Sequence, residues 1–161
     1  MTKKEMYLTW LNNAYAMEVD ITKTLEGQLG DFADFPAVKK KVEMHLEQTR
    51  GHVDKVKECI ERNEGSVSVI KEGMASMTGM MKGVGMAIMH DKVIKNSIAD
   101  YATEFMEIAT YRTLIDTAKE VGDKESVPIL NSILKEEQEM AKIIEKDMPK
   151  VLKEFLKAHE E

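Results

Sequence analysis

The chain has 161 residues, enough for one domain around a single core, and its 43% hydrophobic and 32% charged residues are those of a folded globular protein. Its net charge of −6, laid out as interleaved acids and bases, argues against a nucleic-acid partner. No run approaches the ~18 apolar residues of a membrane span, the N-terminal stretch lacks a signal-peptide hydrophobic region, and the single cysteine, Cys59, excludes an internal disulfide, so a cytoplasmic protein with a reduced structural thiol is expected.

Leu, Ile, Met, Ala, Glu and Lys dominate, aromatics are only 6%, and there are three prolines, which favours helices over sheets. The first predicted helix runs from about Lys4 to Leu29, and Gly30 to Phe35 breaks it. Asp34-Phe35-Pro36 reads as a helix start, and the second helix runs from about Ala37 to Arg62, stopping at Asn63-Glu64-Gly65-Ser66. A third, weaker helical segment is predicted over Val69 to Met89, where four glycines interrupt the pattern. The fourth helix spans about Asp91 to Val121 and ends at Gly122. The fifth starts near Asp123 and reaches Met148, where Pro149 is expected to end or kink it before a last amphipathic piece, Val151 to Ala158.

Four helices of about 25 residues are each ~38 Å long, and none buries its apolar stripe alone. The expected architecture is all-α: one antiparallel four-helix bundle domain spanning 1–161, with the Met-rich segment of about 66–90 as an extra crossover helix. Met74, Met77, Met80, Met81, Met86 and Met89 crowd that segment. Thioethers suit a soft ion such as copper(I), but an adaptable apolar surface that covers the bundle or a second copy is the plainer reading.

Polar residues on the apolar stripes carry the functional signal. In the first helix Leu11, Ala14, Glu18, Ile21 and Leu25 recur at 3–4 spacing, which points Glu18 at the core with Tyr15 one turn before it. In the fifth, Leu130, Ile133, Glu137, Ala141, Ile144 and Met148 do the same for Glu137, with Glu136 at the stripe edge. In the fourth, Val93, Ser97, Asp100, Glu104, Glu107, Tyr111 and Leu114 share a face, and Ile94, Ile98, Tyr101, Phe105, Ile108 and Ile115 form a second stripe beside it. In the second, Val42, Leu46, Thr49, Val53, Val56 and Ile60 form the stripe, flanked by His45, Gln48 and His52, with Glu47 in water.

A carboxylate taken from water without a partner costs several kcal/mol. One core Glu can be neutral or paired with Arg112 or Arg50; four acids and two histidines facing one core call for positive charge. Two divalent or trivalent ions would supply it, and oxygen ligands with a few imidazoles suit iron, manganese or zinc. The alternative is that Glu104 and Glu107 reach solvent while Glu18 and Glu137 make buried hydrogen bonds.

Ala14-Tyr15-Ala16-Met17-Glu18, His45-Leu46-Glu47-Gln48-Thr49, Glu104-Phe105-Met106-Glu107-Ile108-Ala109-Thr110-Tyr111 and Leu134-Lys135-Glu136-Glu137 resemble the YciE/YciF family of ferritin-like bacterial stress proteins. The resemblance covers nearly the whole chain. It implies a ferritin-like bundle with a di-metal carboxylate site, iron foremost and manganese or zinc as alternatives, and oxidation of Fe(II) or disposal of peroxide as the chemistry. The wider ferritin-like pattern is matched at Glu18, Glu104-x-x-Glu107 and Glu137. It is broken at Thr49-x-x-His52, which lacks the first Glu, and at Glu137-x-x-Met140, which lacks the His. The metal set expected is therefore Glu18, His45, His52, Glu104, Glu107 and Glu137, with Tyr15 or Tyr111 as a supporting hydrogen-bond donor. A homodimer, and no membrane partner, is expected. The competing expectation is a non-enzymatic stress protein that uses the bundle surface for dimerisation or partner binding.

Overall fold

The structure, a computed structural model, describes residues 1–67 and 91–159, of which 85% are helical and none is in a strand. Four helices follow in order: α1 (Lys3–Gln28), α2 (Pro36–Arg62), α3 (Lys92–Val121) and α4 (Ser126–Lys157). The segment expected as a Met-rich crossover helix lies almost wholly outside the described residues. Among those described, no helix is long and apolar enough to cross a membrane.

The ends of the helices follow from local chemistry. Thr2 and Glu5 form a reciprocal capping box that satisfies the first free amides of α1. Pro36 occupies the first turn of α2, where its missing N–H costs nothing. Gly122, at φ 79°, turns the chain left-handed to end α3. Asp123 accepts the Ser126 amide at 3.1 Å, so α4 begins three residues later than the sequence indicates.

Contacts at the two ends fix the topology. Lys3 meets Glu120 and Tyr7 meets Asp123, which puts the start of α1 beside the end of α3. Lys92 and Asn96 both reach Asp31, which puts the start of α3 beside the end of α1. Lys41 pairs with Asp147, joining the start of α2 to the late part of α4. Every neighbouring pair is antiparallel, around the square α1, α2, α4, α3. Packing within the α1–α2 and α3–α4 hairpins is more extensive than packing across them. Because α2 ends at one end of the bundle and α3 starts at the other, the topology is two hairpins joined by one lengthwise connection.

The core is built from Tyr7, Leu11, Leu25, Ile60, Leu114, Leu130 and Ile133, all essentially sealed from solvent. Removing any of these large side chains to alanine costs about 2–5 kcal/mol in comparable cores.

Three sequence expectations change. Pro149 neither ends nor visibly divides α4, which continues to Lys157. Pro149 is exposed, so the one carbonyl it leaves without an amide faces water, while Val151 is buried and anchors the last turns. The second apolar stripe of α3 is only partly buried: Ile98 is 44% and Phe105 52% exposed, and Phe105 instead packs edge-on against Tyr101. Two adjacent stripes cover more of a helix than two neighbours can bury, and the acid-bearing face is the one turned inward. In α2 the buried positions are Val42, His45, Leu46, Thr49, His52, Val56, Cys59 and Ile60, so the histidines lie on the stripe and Val53 at its edge.

Candidate metal centre

Glu18 from α1, His45 and His52 from α2, Glu104 and Glu107 from α3 and Glu137 from α4 all turn into the bundle, and every one is buried. Each sits on its helix at the spacing that also buries its apolar neighbours, so core formation itself delivers the acids to the centre. Glu104 and Glu107 are fully buried and do not reach solvent.

The six side chains form two groups that share a member. His45, Glu104, Glu107 and Glu137 offer one ligand atom each, all within 4.8 Å of one another; Glu18, His52 and Glu137 do the same. Within the first group His45 Nε2 lies 3.1 Å from Glu104 Oε1. Within the second, His52 Nδ1 lies 2.8 Å from Glu137 Oε1 and 3.7 Å from Glu18 Oε2. These are contacts of ion-pair distance. Glu18 Oε2, His45 Nε2, His52 Nδ1, Glu137 Oε1 and both carboxylate oxygens of Glu104 and Glu107 are buried without a hydrogen-bond partner. An orphaned buried carboxylate oxygen normally costs about 1–3 kcal/mol or more, so so many converging in one place describe a pocket shaped for a cation.

Outer partners hold the inner groups in place. Tyr111 donates its hydroxyl to Glu18 Oε1, leaving Oε2 free to face His52. His52 Nε2 meets Glu136 Oε2 at 2.6 Å, and Lys55 donates to the other oxygen of Glu136 at 3.3 Å. This contact fixes the ring so that Nδ1 points inward, the carboxylate–histidine arrangement common behind metal-binding imidazoles. Tyr15 is only partly buried, so Tyr111 is the tyrosine that supports an acid. Arg50 pairs with Glu26 and Glu47 on the surface and Arg112 is exposed, so neither arginine neutralises the core.

The charges respond accordingly. Burial, then Glu137 alongside, pushes Glu104 up to about 10. Burial, then Glu137 and Glu18, raises Glu107 well above the carboxylate range. Burial raises Glu18 as well, against the opposing pull of His52. Burial lowers His45 to about 4, so its ring is neutral. Burial would also lower His52, but Glu137 and Glu18 outweigh it and carry the ring up to about 10. The pocket thus carries an imidazolium at His52 and protons on Glu104 and Glu107.

Thr49 and Met140 occupy the places where the wider ferritin-like pattern has Glu and His. Thr49 gives its hydroxyl to the His45 carbonyl at 3.0 Å, and Met140 is buried. A further polar residue, Gln28, escapes the sequence reading. Gln28 donates to Asp100 at 2.8 Å, and burial pushes Asp100 up to about 7. Continuing the 3–4 spacing of α1 past Leu25 reaches Gln28, so the signal was present. Cys59 is buried and free, and burial lifts its thiol to about 11, which fits a structural role.

Residues 2–157 match the model of a family described as "Domain of unknown function (DUF892)". The Escherichia coli protein YciF is 24% identical over 144 residues, covering 85% of this chain and 84% of that protein. The crystal structure of a Xanthomonas campestris protein aligns with a TM-score of 0.83 at 28% identity, covering 98% of this chain and 99% of that one. The crystal structure of the E. coli stress protein YciF aligns with a TM-score of 0.82 at 19% identity, covering 95% of this chain and 98% of that one, a likeness of fold.

Proposed function

This chain belongs to the DUF892 family, a YciF-like family of helical bundles, and on that premise we propose that it is a metalloprotein whose bundle core holds two metal ions. Glu18, His52 and Glu137 would hold one ion and His45, Glu104, Glu107 and Glu137 the other, Glu137 belonging to both groups. The observation that carries this reading is the set of buried, inward-facing oxygen and nitrogen atoms with no hydrogen-bond partner. Mixed carboxylate and imidazole donors favour iron, with manganese or zinc as alternatives.

Bound iron would supply redox chemistry, with oxidation of Fe(II) by dioxygen or disposal of peroxide as the reaction class. The chain's own residues set the conditions. Burial excludes bulk water, Tyr111 aims Glu18, Glu136 orients His52, and Glu104 and Glu107 would give up their protons to a bound ion. The role in a stress response is proposed from the kinship with YciF.

Metal analysis of protein purified without chelators or affinity metals tests this. Stoichiometric iron or manganese, or anaerobic titration reaching about two ions per chain with thermal stabilisation, is the expected result. A chelated protein that binds no divalent ion and gains no stability overturns it. A second reading, a bundle acting through its surface as a homodimer or on a partner, is favoured by exposed Ile98, Phe105, Leu152 and Leu156. Absence of metal together with self-association would select that reading.

A further inference from the structure

An apolar cavity opens at the end of the bundle where Lys41 of α2 pairs with Asp147 of α4. Phe32, Val42, Ile144, Met148 and Val151 form much of its wall, and His45 and Asp100 lie at its inner side. The free space is about 50 Å³. One water needs roughly 10–15 Å³ on the same measure, so there is room for a small molecule of a few atoms. A second void of about 10 Å³ touches His45 and Asp100 from the other side and is bounded by Glu104. The two voids share His45 and Asp100 as lining side chains, and the second lies beside a member of the carboxylate cluster.

We propose that this cavity is a binding and entry site for dioxygen, leading from solvent at Lys41 and Asp147 to the His45 side of the metal centre. This rests on the metalloprotein reading above. Size and the mainly apolar wall both point to a small uncharged molecule. The charge at the mouth excludes the metal ion itself as the traveller. Lys146 and Lys150 stand close enough to Lys41 to act on its charge, and Asp147 is shared between Lys41 and Lys150. A divalent cation meets repulsion there, whereas a neutral diatomic does not. Asp100 at the inner end gives one oxygen to Gln28, which keeps that carboxylate tied to α1.

Two probes separate this proposal from the metal reading. Xenon pressurisation of crystals needs no metal, and a xenon atom is expected between Ile144 and Val42, absent in Ile144→Trp. The second probe is nitric oxide binding to the anaerobic Fe(II) protein, followed by rapid-mixing absorbance and electron spin resonance. Ile144→Trp, and independently Met148→Phe, should slow association at least tenfold while iron stoichiometry is unchanged. Lys41→Ala should leave the nitric oxide rate within a factor of about two, because a neutral diatomic does not respond to the charge at the mouth. Xenon without metal binding would sustain the cavity and remove the metalloprotein reading. Metal binding with no xenon site, or with nitric oxide rates unchanged in both filled variants, overturns the entry route. So does a nitric oxide rate that changes tenfold in Lys41→Ala, since the traveller would then respond to charge.

Discussion

The hydroxyl of Tyr111 on α3 donates to Glu18 on α1, and both side chains are completely buried. Glu18 therefore keeps one oxygen occupied and one oriented toward His52. Replacing Tyr111 with Phe removes a hydrogen bond whose acceptor has nowhere else to turn, which costs about 1–3 kcal/mol. The expected result is a lower urea midpoint in the metal-free protein and weaker, not absent, metal binding, because tyrosine is not itself a ligand here. Unchanged stability would show that Glu18 is not held by this bond.

Glu137 is the residue common to both groups, and its substitution should tell more than any other. Glu137→Gln is expected to lose both ions, whereas Glu18→Ala should lose the ion of the His52 group and retain the one beside His45. Ions that bind only the folded state stabilise it by about 2.7 kcal/mol at 100 times the dissociation constant. Most of that increment should vanish in Glu137→Gln and part of it in Glu18→Ala. Thermal unfolding with chelator and with Mn(II) reads this, and equal gains in wild type and both variants would remove the assignment.

Stability should depend on pH in opposite senses with and without metal. Glu104 rises from 4.5 to about 10 and Asp100 from 3.8 to about 7 on folding, so both favour the fold at low pH and lose that contribution as pH climbs. His52, raised from 6.5 to about 10, acts in the same direction and loses its contribution as pH rises through about 10. His45, lowered from 6.5 to about 4, opposes them only in acid, where its contribution is lost as pH falls. Chelated protein should therefore weaken between about pH 6 and about pH 9, while Mn(II) should stabilise more strongly over the same interval because ions displace those protons. Denaturation curves at both ends of that range, with parallel trends in the two forms, would contradict the picture.

A separate anchor lies far from the metal centre. Asp123 accepts from Tyr7 at 3.0 Å, from Asn63 at 2.6 Å and from the Ser126 amide at 3.1 Å, tying α1, α2 and the start of α4 together. Burial works against its charge, but the Ser126 and Asn63 bonds hold its pKa below the usual value. Asp123→Ala should cost about 2–3 kcal/mol by leaving several donors unpaired, with metal stoichiometry unchanged. Loss of metal binding in this variant, at a temperature where it is folded, would show that the two regions are coupled.

The inward acids were legible because Glu18 and Glu137 stand at 3–4 spacing among Leu, Ile and Ala, where burying the neighbours buries them too. Two phases of α2 fit the sequence almost equally, one through Val53 and one through His52, and the choice depends on where the neighbouring helices lie. The contact from Glu136 to His52 depends on the register of α4 against α2, which no single helix encodes. Pro149 reads as a stop in isolation, yet on an exposed face it frees one carbonyl and the buried Val151 outweighs the loss. Which stripe of α3 turns inward was likewise undecidable locally, and Phe105 ends on the surface.

The centre is divided between the two hairpins. Glu18, His45 and His52 come from α1 and α2, and Glu104, Glu107 and Glu137 from α3 and α4. Each hairpin can form from short-range contacts within microseconds to milliseconds without gathering the full set of acids. Glu104, Glu107 and Glu137 already face one another within the α3–α4 hairpin, and Glu18 joins them only when the hairpins meet, so its added repulsion weighs on the docking step and not on helix formation. A chain refolding without metal at alkaline pH should pause as two formed but undocked hairpins, visible as helix content recovered before Tyr111 is buried. An ion that binds as the faces approach would act on the rate of assembly as well as on the finished fold.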